Sequence, residues 1–437
     1  MILLRMCGVP KMSYLLRVTP PEAIKALAEQ FDEEALNIAH ELLDTVADSE
    51  AHADEITKQL QAPLRLGGFG IASSAAAISH AAYLASVASA LSVAALHAHT
   101  AADHPLQTDS MLYTQLSECI TTINTVTPSC ADLLPDSAAD FFPHYDQQSN
   151  ATISTLQSSL NKRAAITLFD AAIDRAEVAG DVATTARLKA ITTQHAADWK
   201  AALPTNSYTT LSDTHYRIAA RFNLGLPLSG LPADCSGCAR GGKNKVAQDP
   251  FHYLSCGRHK RQEITIGHDM LVNVVHHYNQ LSGGTGVKEP RDLHGEDNRR
   301  PDLQMIVNNT HILTDIQITN PLCPSTLDKS SSAQPQLAAA QVKEKEKSSK
   351  YTATALKHDA KFIPFIMEAT GGMSGSAREI YELIVLASRD NNTLWPHEII
   401  ARDFRGAIAV AVQRRNAMTM ITGRWLAVGR AATSVAA

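Results

Sequence analysis

Apolar residues in the first two hundred positions recur at helical spacing. Pro20-Pro21-Glu22 opens a helix carrying Ile24, Leu27, Ala28 and Phe31. A second apolar face runs through Ala35, Ile38, Ala39, Leu42, Leu43 and Val46. Gly67-Gly68-Phe69-Gly70 interrupts the pattern before an Ala-rich helical segment. Residues 103–148 are rich in Pro, Asp and Ser and predict loops. Helix resumes near Ala151 and ends before Pro204. After Leu224 the run Gly225-Leu226-Pro227-Leu228-Ser229-Gly230-Leu231-Pro232 excludes a regular helix. Between Glu289 and Glu368 the pattern becomes mixed. It predicts strands at 303–307, 312–319 and 362–369, with a charged helix at 336–356 between the last two. Residues 377–386 and 402–420 are helical again, and no internal repeat is visible. The pattern predicts an α+β or α/β chain: a helical N-terminal half, then a mixed sheet flanked by helices.

No Lys, Arg, Asp or Glu occurs between Arg65 and Asp103. The densest part, 81–96, is mostly Ala and Ser, which add little to insertion energy, and His80, His97 and His99 flank it. A buried helix is expected there, not a membrane span. The opening Met1-Ile2-Leu3-Leu4-Arg5-Met6 carries no signal-peptide pattern. At 437 residues the chain has room for several domains, and 45% hydrophobic against 19% charged residues excludes wholesale disorder. Seven scattered cysteines do not make a disulfide framework and point to a reducing compartment.

Cys235, Cys238, His252 and Cys256 form a C-x2-C, then H-x3-C arrangement. Three thiolates and an imidazole are a closed tetrahedral set for structural Zn2+, with His259 as a competing ligand. Gly237 and Gly241-Gly242 permit the tight turns of such a knuckle. Free thiols without metal are the alternative reading. Arg240, Lys243, Lys245, Arg258, Lys260 and Arg261 lie from Cys238 to Arg261 against the single acid Asp249. The net charge of −5 therefore hides a local basic patch that can hold phosphates.

The sharpest chemistry lies in Arg299-Arg300-Pro301-Asp302 and the thirteen residues that follow. If Asn308-Asn309 is a two-residue hairpin loop, paired positions sum to 617 and Asp302 falls opposite Asp315. Such side chains share one face, about 4.5–5.5 Å apart at Cβ. Two carboxylates that close call for a cation, and a hard Mg2+ or Mn2+ ion suits oxygen ligands. A one-residue change of loop would separate them. Glu289 is a further candidate ligand, or an ion-pair partner of Lys288 or Arg291. Gln317 stands where a nuclease triad would carry Lys, and Lys343, Lys345, Lys347 and Lys350 on the following helix are substitutes. Metal-assisted phosphodiester hydrolysis is the chemistry this set implies. Two acids on an ordinary hairpin, and lysines on a solvated helix face, fit the pattern equally well.

Pro301-Asp302, twelve residues, Asp315, then Glu344, Lys347, Lys350 and Tyr351 resembles the restriction-like endonuclease of non-LTR (LINE-type) retrotransposons. Leu211-Ser212-Asp213, Arg221 and Leu224-Gly225-Leu226-Pro227-Leu228 before the knuckle, and His268-Asp269 after it, are similar to that family. So are Leu15-Leu16-Arg17, Phe31-Asp32, Gly67–Ile71 and 407–417. The resemblance implies five segments. Residues 1–148 would be a helical post-polymerase region and 149–234 a helical linker. A CCHC zinc knuckle (235–260), a PD-(D/E)xK endonuclease domain (261–389) and a helical tail (390–437) would follow. It implies a nuclear, Mg2+-dependent DNA endonuclease with Asp302, Asp315 and one of Lys343, Lys347 or Lys350 at its site, beside the candidate Glu289 named above. Arg299, Arg300 and the basic patch would contact DNA or element RNA. No Asp-Asp dipeptide occurs, so no Tyr-x-Asp-Asp polymerase motif is present. Polymerase activity is not expected, and the chain reads as the back half of such a polyprotein, with a polymerase supplied in trans. An inactive nucleic-acid-binding remnant and an Ala-rich helical scaffold are the alternatives.

Overall fold

The computed structural model describes the chain except residues 46–48, 99–105, 147, 229–230, 232, 236–237, 239–244, 257–261, 292, 294–299, 328–334, 392 and 436–437. It divides into two compact units, Met1–Arg175 and Ala176–Ala437. The division falls inside the stretch 149–234, so part of that expected linker belongs to each unit.

The first unit is helical: α1 (Ser13–Val18), α2 (Pro21–Leu43), α3 (Ser49–Gln61), α4 (Ala76–Ala98), α5 (Met111–Val126), α6 (Phe141–Asp146) and α7 (Asn150–Val178). The two apolar faces expected after Pro20 lie on the single helix α2, which buries Ile24, Ala28, Ala35, Ala39 and Leu43. Asp32 on the same helix is buried, and its carboxylate accepts from Ser74 N (2.6 Å), Ala75 N (3.1 Å) and Ser73 Oγ (2.6 Å). Those donors lie at the entry to α4, where a carboxylate satisfies otherwise orphaned N–H groups. Gly68 is required at the preceding break, because a Cβ there would meet the Ala62 carbonyl oxygen at 1.9 Å. The Ala-rich segment is α4, with Ala81, Ala82, Leu84, Ala85 and Ala88 buried. No helix among the described residues is long and apolar enough to cross a membrane.

Residues 103–148 are more helical than expected. Ser110 caps α5 by accepting from Tyr113 N, and Leu116, Cys119, Ile120 and Ile123 form its buried stripe. The Pro, Asp and Ser residues gather at the helix ends, where they cap and turn the chain, while burial of this stripe overrides the modest helix propensity of Thr and Ser.

The second unit is an α+β body. Its helices are α8 (Val182–Ile191), α9 (Asp198–Ala201), α10 (Asp213–Leu224), α11 (Lys245–Gln248), α12 (Gln262–Leu281), α13 (Pro324–Leu327), α14 (Ala338–Lys357), α15 (Gly375–Asp390) and α16 (His397–Val435). Its strands are β1 (Thr285–Lys288), β2 (Leu303–Val307), β3 (Thr310–Thr314), β4 (Ile316–Thr319), β5 (Lys361–Phe362) and β6 (Phe365–Glu368). A four-stranded sheet has the order β1-β2-β3-β5, and β4 pairs with β6. β1–β2 and β2–β3 are antiparallel, whereas β3–β5 and β4–β6 are parallel. The short, glycine-flanked β1 was not visible in the pattern.

Alternation assigns the two faces. Leu303, Met305, Val307 and Ile312 are buried in the main core with residues of α12, α15 and α16. Leu313 faces the other way, into a cluster with Ala355 of α14. Within the segment expected as a tail, 390–437, α16 is integral over its first half: Ile400, Phe404, Ala407, Ile408, Ala411 and Val412 belong to the main core. A tail-like helix is long and amphipathic in sequence, and only packing shows which side is covered.

Candidate active site and metal cluster

Asn308 and Asn309 adopt left-handed conformations, with φ 44° and 61°. Two such residues make the type I′ turn whose twist matches paired strands, and Asn tolerates the conformation. Val307 consequently pairs with Thr310, and the register continues to Leu303 opposite Thr314. Asp302 and Asp315 each lie one residue beyond this last pair. The hairpin loop and the register from Val307–Thr310 to Leu303–Thr314 are as the sequence predicts.

Each acid has its own surroundings. Asp302 Oδ2 accepts from Ile316 N at 2.6 Å and lies 3.0 Å from His268 Nε2. Nδ1 of the same imidazole is 3.1 Å from Asp269 Oδ1. Burial by itself disfavours the charged ring, but the carboxylates of Asp302 and Asp269 outweigh it and raise its pKa to about 9. Asp315 is 4% exposed and forms an ion pair with Lys347. Burial and then the charge of Asp302 push its carboxyl upward, against the opposing pull of Lys347 and a hydrogen bond from Tyr351.

Helix α14 therefore brings Lys347 and the buried Tyr351 to Asp315. Lys350 donates to Tyr351 Oη at 3.1 Å and lies 4.5 Å from its ring centroid. Tyr351 Oη also lies 3.3 Å from the Arg300 carbonyl oxygen, a second acceptor for its single proton. Lys343 pairs with Glu346 at 2.6 Å, and Lys345 is exposed. Glu344, one of the family-like residues, accepts from Ser376 N at 2.9 Å at the start of α15. Glu289 is exposed at φ 47°, and its backbone N–H donates to the Asp302 carbonyl at 2.8 Å. Its contact with the acid pair is thus made through backbone. Sequence reading marked His268 and Tyr351 as family-like but gave neither a role at the site; packing of their helices brings them to acids 34 and 36 residues away.

The second cluster lies on turns. Cys238 N–H donates to Cys235 O at 3.2 Å, closing the C-x2-C turn. His252 begins a 3-10 turn, His252–Leu254, and Cys256 follows it. The sulfurs of Cys235 and Cys256 are 3.7 Å apart, those of Cys238 and Cys256 3.6 Å, and Cys238 Sγ is 3.4 Å from His252 Nε2. All four ligand atoms lie within 4.8 Å of one another. Zn–S bonds of about 2.3 Å arranged tetrahedrally place sulfurs about 3.8 Å apart, so the spacing fits such an ion. These residues can hold a metal such as zinc. The competing His259 lies outside the described residues.

Of the basic residues, Lys245 and Arg300 are described and exposed. Arg240, Lys243, Arg258, Lys260, Arg261 and Arg299 lie outside the described residues.

No family profile matches this chain, and no curated protein matches it in sequence.

Proposed function

We propose that the second unit is a metal-dependent DNA endonuclease with a restriction-like fold, as the resemblance to non-LTR retrotransposon proteins implies. The observation carrying this reading is the β2–β3 register, which ends at Leu303 opposite Thr314 and leaves Asp302 and Asp315 at the adjoining strand ends, with Lys347 paired to Asp315. Two neighbouring carboxylates, one of them pushed upward by burial and then by the other's charge, are a hard oxygen donor set that suits a divalent ion. Asp302 and Asp315 would hold Mg2+ or Mn2+, which supplies Lewis acidity and an acidified water for phosphodiester hydrolysis. His268 orients Asp302. Lys347 supplies positive charge for a phosphate at Asp315, and Tyr351 and Lys350 support it. Arg300 and Lys245 offer exposed charge to the DNA backbone. Cys235, Cys238, His252 and Cys256 would hold structural zinc, with no position left for substrate.

A non-catalytic nucleic-acid-binding remnant is the second reading. It is favoured by the engagement of both acids with protein cations, Asp302 with His268 and Asp315 with Lys347. Purified protein with Mg2+ and supercoiled plasmid separates the two. Nicking that disappears in Asp302→Ala and Asp315→Ala supports the nuclease. Salt-dependent DNA binding without nicking supports the remnant, and absence of both activities defeats each.

A further inference from the structure

The Cys/His cluster is built into the second unit. Cys235, Tyr253, Leu254 and Cys256 belong to one buried core with Phe222 of α10, Leu322, Ala369, and Ala417 and Met420 of α16. The backbone of α16 approaches closely: a Cβ on Gly423 would lie 2.3 Å from the Tyr253 ring. Ser255, next to the ligand Cys256, accepts from Asn320 Nδ2 at 2.9 Å. Asn320 is buried immediately after β4 and is fixed in turn by Leu322 N, which donates to its Oδ1 at 3.1 Å. Ile318 in β4 packs against both this core and the main core, three residues beyond Asp315. The turns bearing the ligands thus touch the strand that follows Asp315 and the helix that carries much of the main core.

We infer that the metal held by Cys235, Cys238, His252 and Cys256 is a staple for the whole second unit, anchoring β4 and α16, and does not serve a separately folding finger. The inference rests on the metal reading of this cluster and is independent of nuclease activity. A metal bound only to the folded form stabilises every element whose folding is coupled to the site. A finger tethered by a linker stabilises only itself. The shared buried core, the Gly423–Tyr253 approach and the Ser255–Asn320 hydrogen bond are the three physical couplings that distinguish these cases.

Hydrogen–deuterium exchange on the full chain, zinc-loaded and after chelation, tests it. Zinc content is measured on the same samples. One equivalent of zinc is expected, and its removal is expected to speed amide exchange at least tenfold in 303–319 and 397–425 as well as in 235–256. Exchange within Met1–Arg175 serves as the control and stays unchanged. Bound zinc whose removal affects only 235–256 overturns the inference while leaving the metal reading intact. A chain that retains no zinc overturns both.

Ser255→Ala is expected to weaken zinc retention about fivefold and Asn320→Ala at least as much, since it also loses the Leu322 bond, with the double variant no worse than Asn320→Ala. Full additivity, or no effect, counts against that coupling. Gly423→Ala alters no ligand and no polar group, and it is expected to speed zinc loss to a chelator through the Tyr253 ring. Unchanged zinc loss from a folded Gly423→Ala protein overturns the role of α16.

Discussion

The acid pair and the Cys/His cluster both bring polar side chains together, but by different means. The four soft ligands span 22 residues, and short turns supply them. The acids are brought opposite by strand register, and each is then met by a side chain from a distant helix: His268 of α12 at Asp302 and Lys347 of α14 at Asp315. Turn geometry makes the first cluster a local property. The second depends on sheet register and on two helices docking correctly, so it is sensitive to changes far from the acids.

The largest expected effect tests the local cluster. Cys256→Ser should lose the metal and destabilise the second unit by roughly 4 kcal/mol or more, as metal loss is among the few causes of such large single-site effects. Denaturant unfolding with metal analysis checks this, and full stability without metal would erase the contrast. Next, Asp302→Asn and Asp315→Asn should each lower Mg2+-dependent nicking by about a hundredfold or more while keeping DNA binding. Gel assays at fixed salt read both quantities, and nicking undiminished in either variant would remove the acids from the chemistry.

A third prediction concerns a buried acid without a cation. Glu368 of β6 is 1% exposed; one oxygen accepts from Ala340 N at 3.4 Å, and the other has no partner among the described residues. Burial raises its pKa to about 7 from a reference of 4.5. The folded state then holds the proton more tightly than the unfolded state, so stability falls as pH rises from about 4.5 to about 7 and is level above. Glu368→Gln should remove this slope and stabilise the protein by roughly 3 kcal/mol at pH 8. Melting curves across pH decide it, and an unchanged slope would show that Glu368 ionises freely. The smallest effect is at the turn. Asn309→Ala, at φ 61°, should cost about 1 kcal/mol, whereas Asn309→Gly should be neutral or stabilising. The same result from both variants would mean the turn does not govern the register.

Much of this second unit was legible in order. The strand at 303–307, the Asn-Asn loop and the 617 register followed from alternation and turn chemistry. The ligand spacing of the Cys/His cluster was equally visible. Other features were not. Residues 103–148 looked like loops because capping residues dominate their composition, while the buried stripe of α5 is only four residues. β1 escaped notice because it is short and contains Gly286. Among four candidate lysines, spacing placed several on one helical stripe, and docking of α14 brought Lys347 to Asp315.

By itself, then, the sequence determined the strand at 303–307, the Asn308-Asn309 turn with its register, and the soft four-ligand spacing. These depend on backbone periods and short turns, which neighbouring residues control. Tertiary structure decided that His268 and Lys347 meet the acids, that Glu368 is buried without a counter-ion among the described residues, and that the first half of α16 joins the main core. Those outcomes depend on packing between elements far apart in the chain, where burial and shape select among faces that the local pattern leaves equivalent.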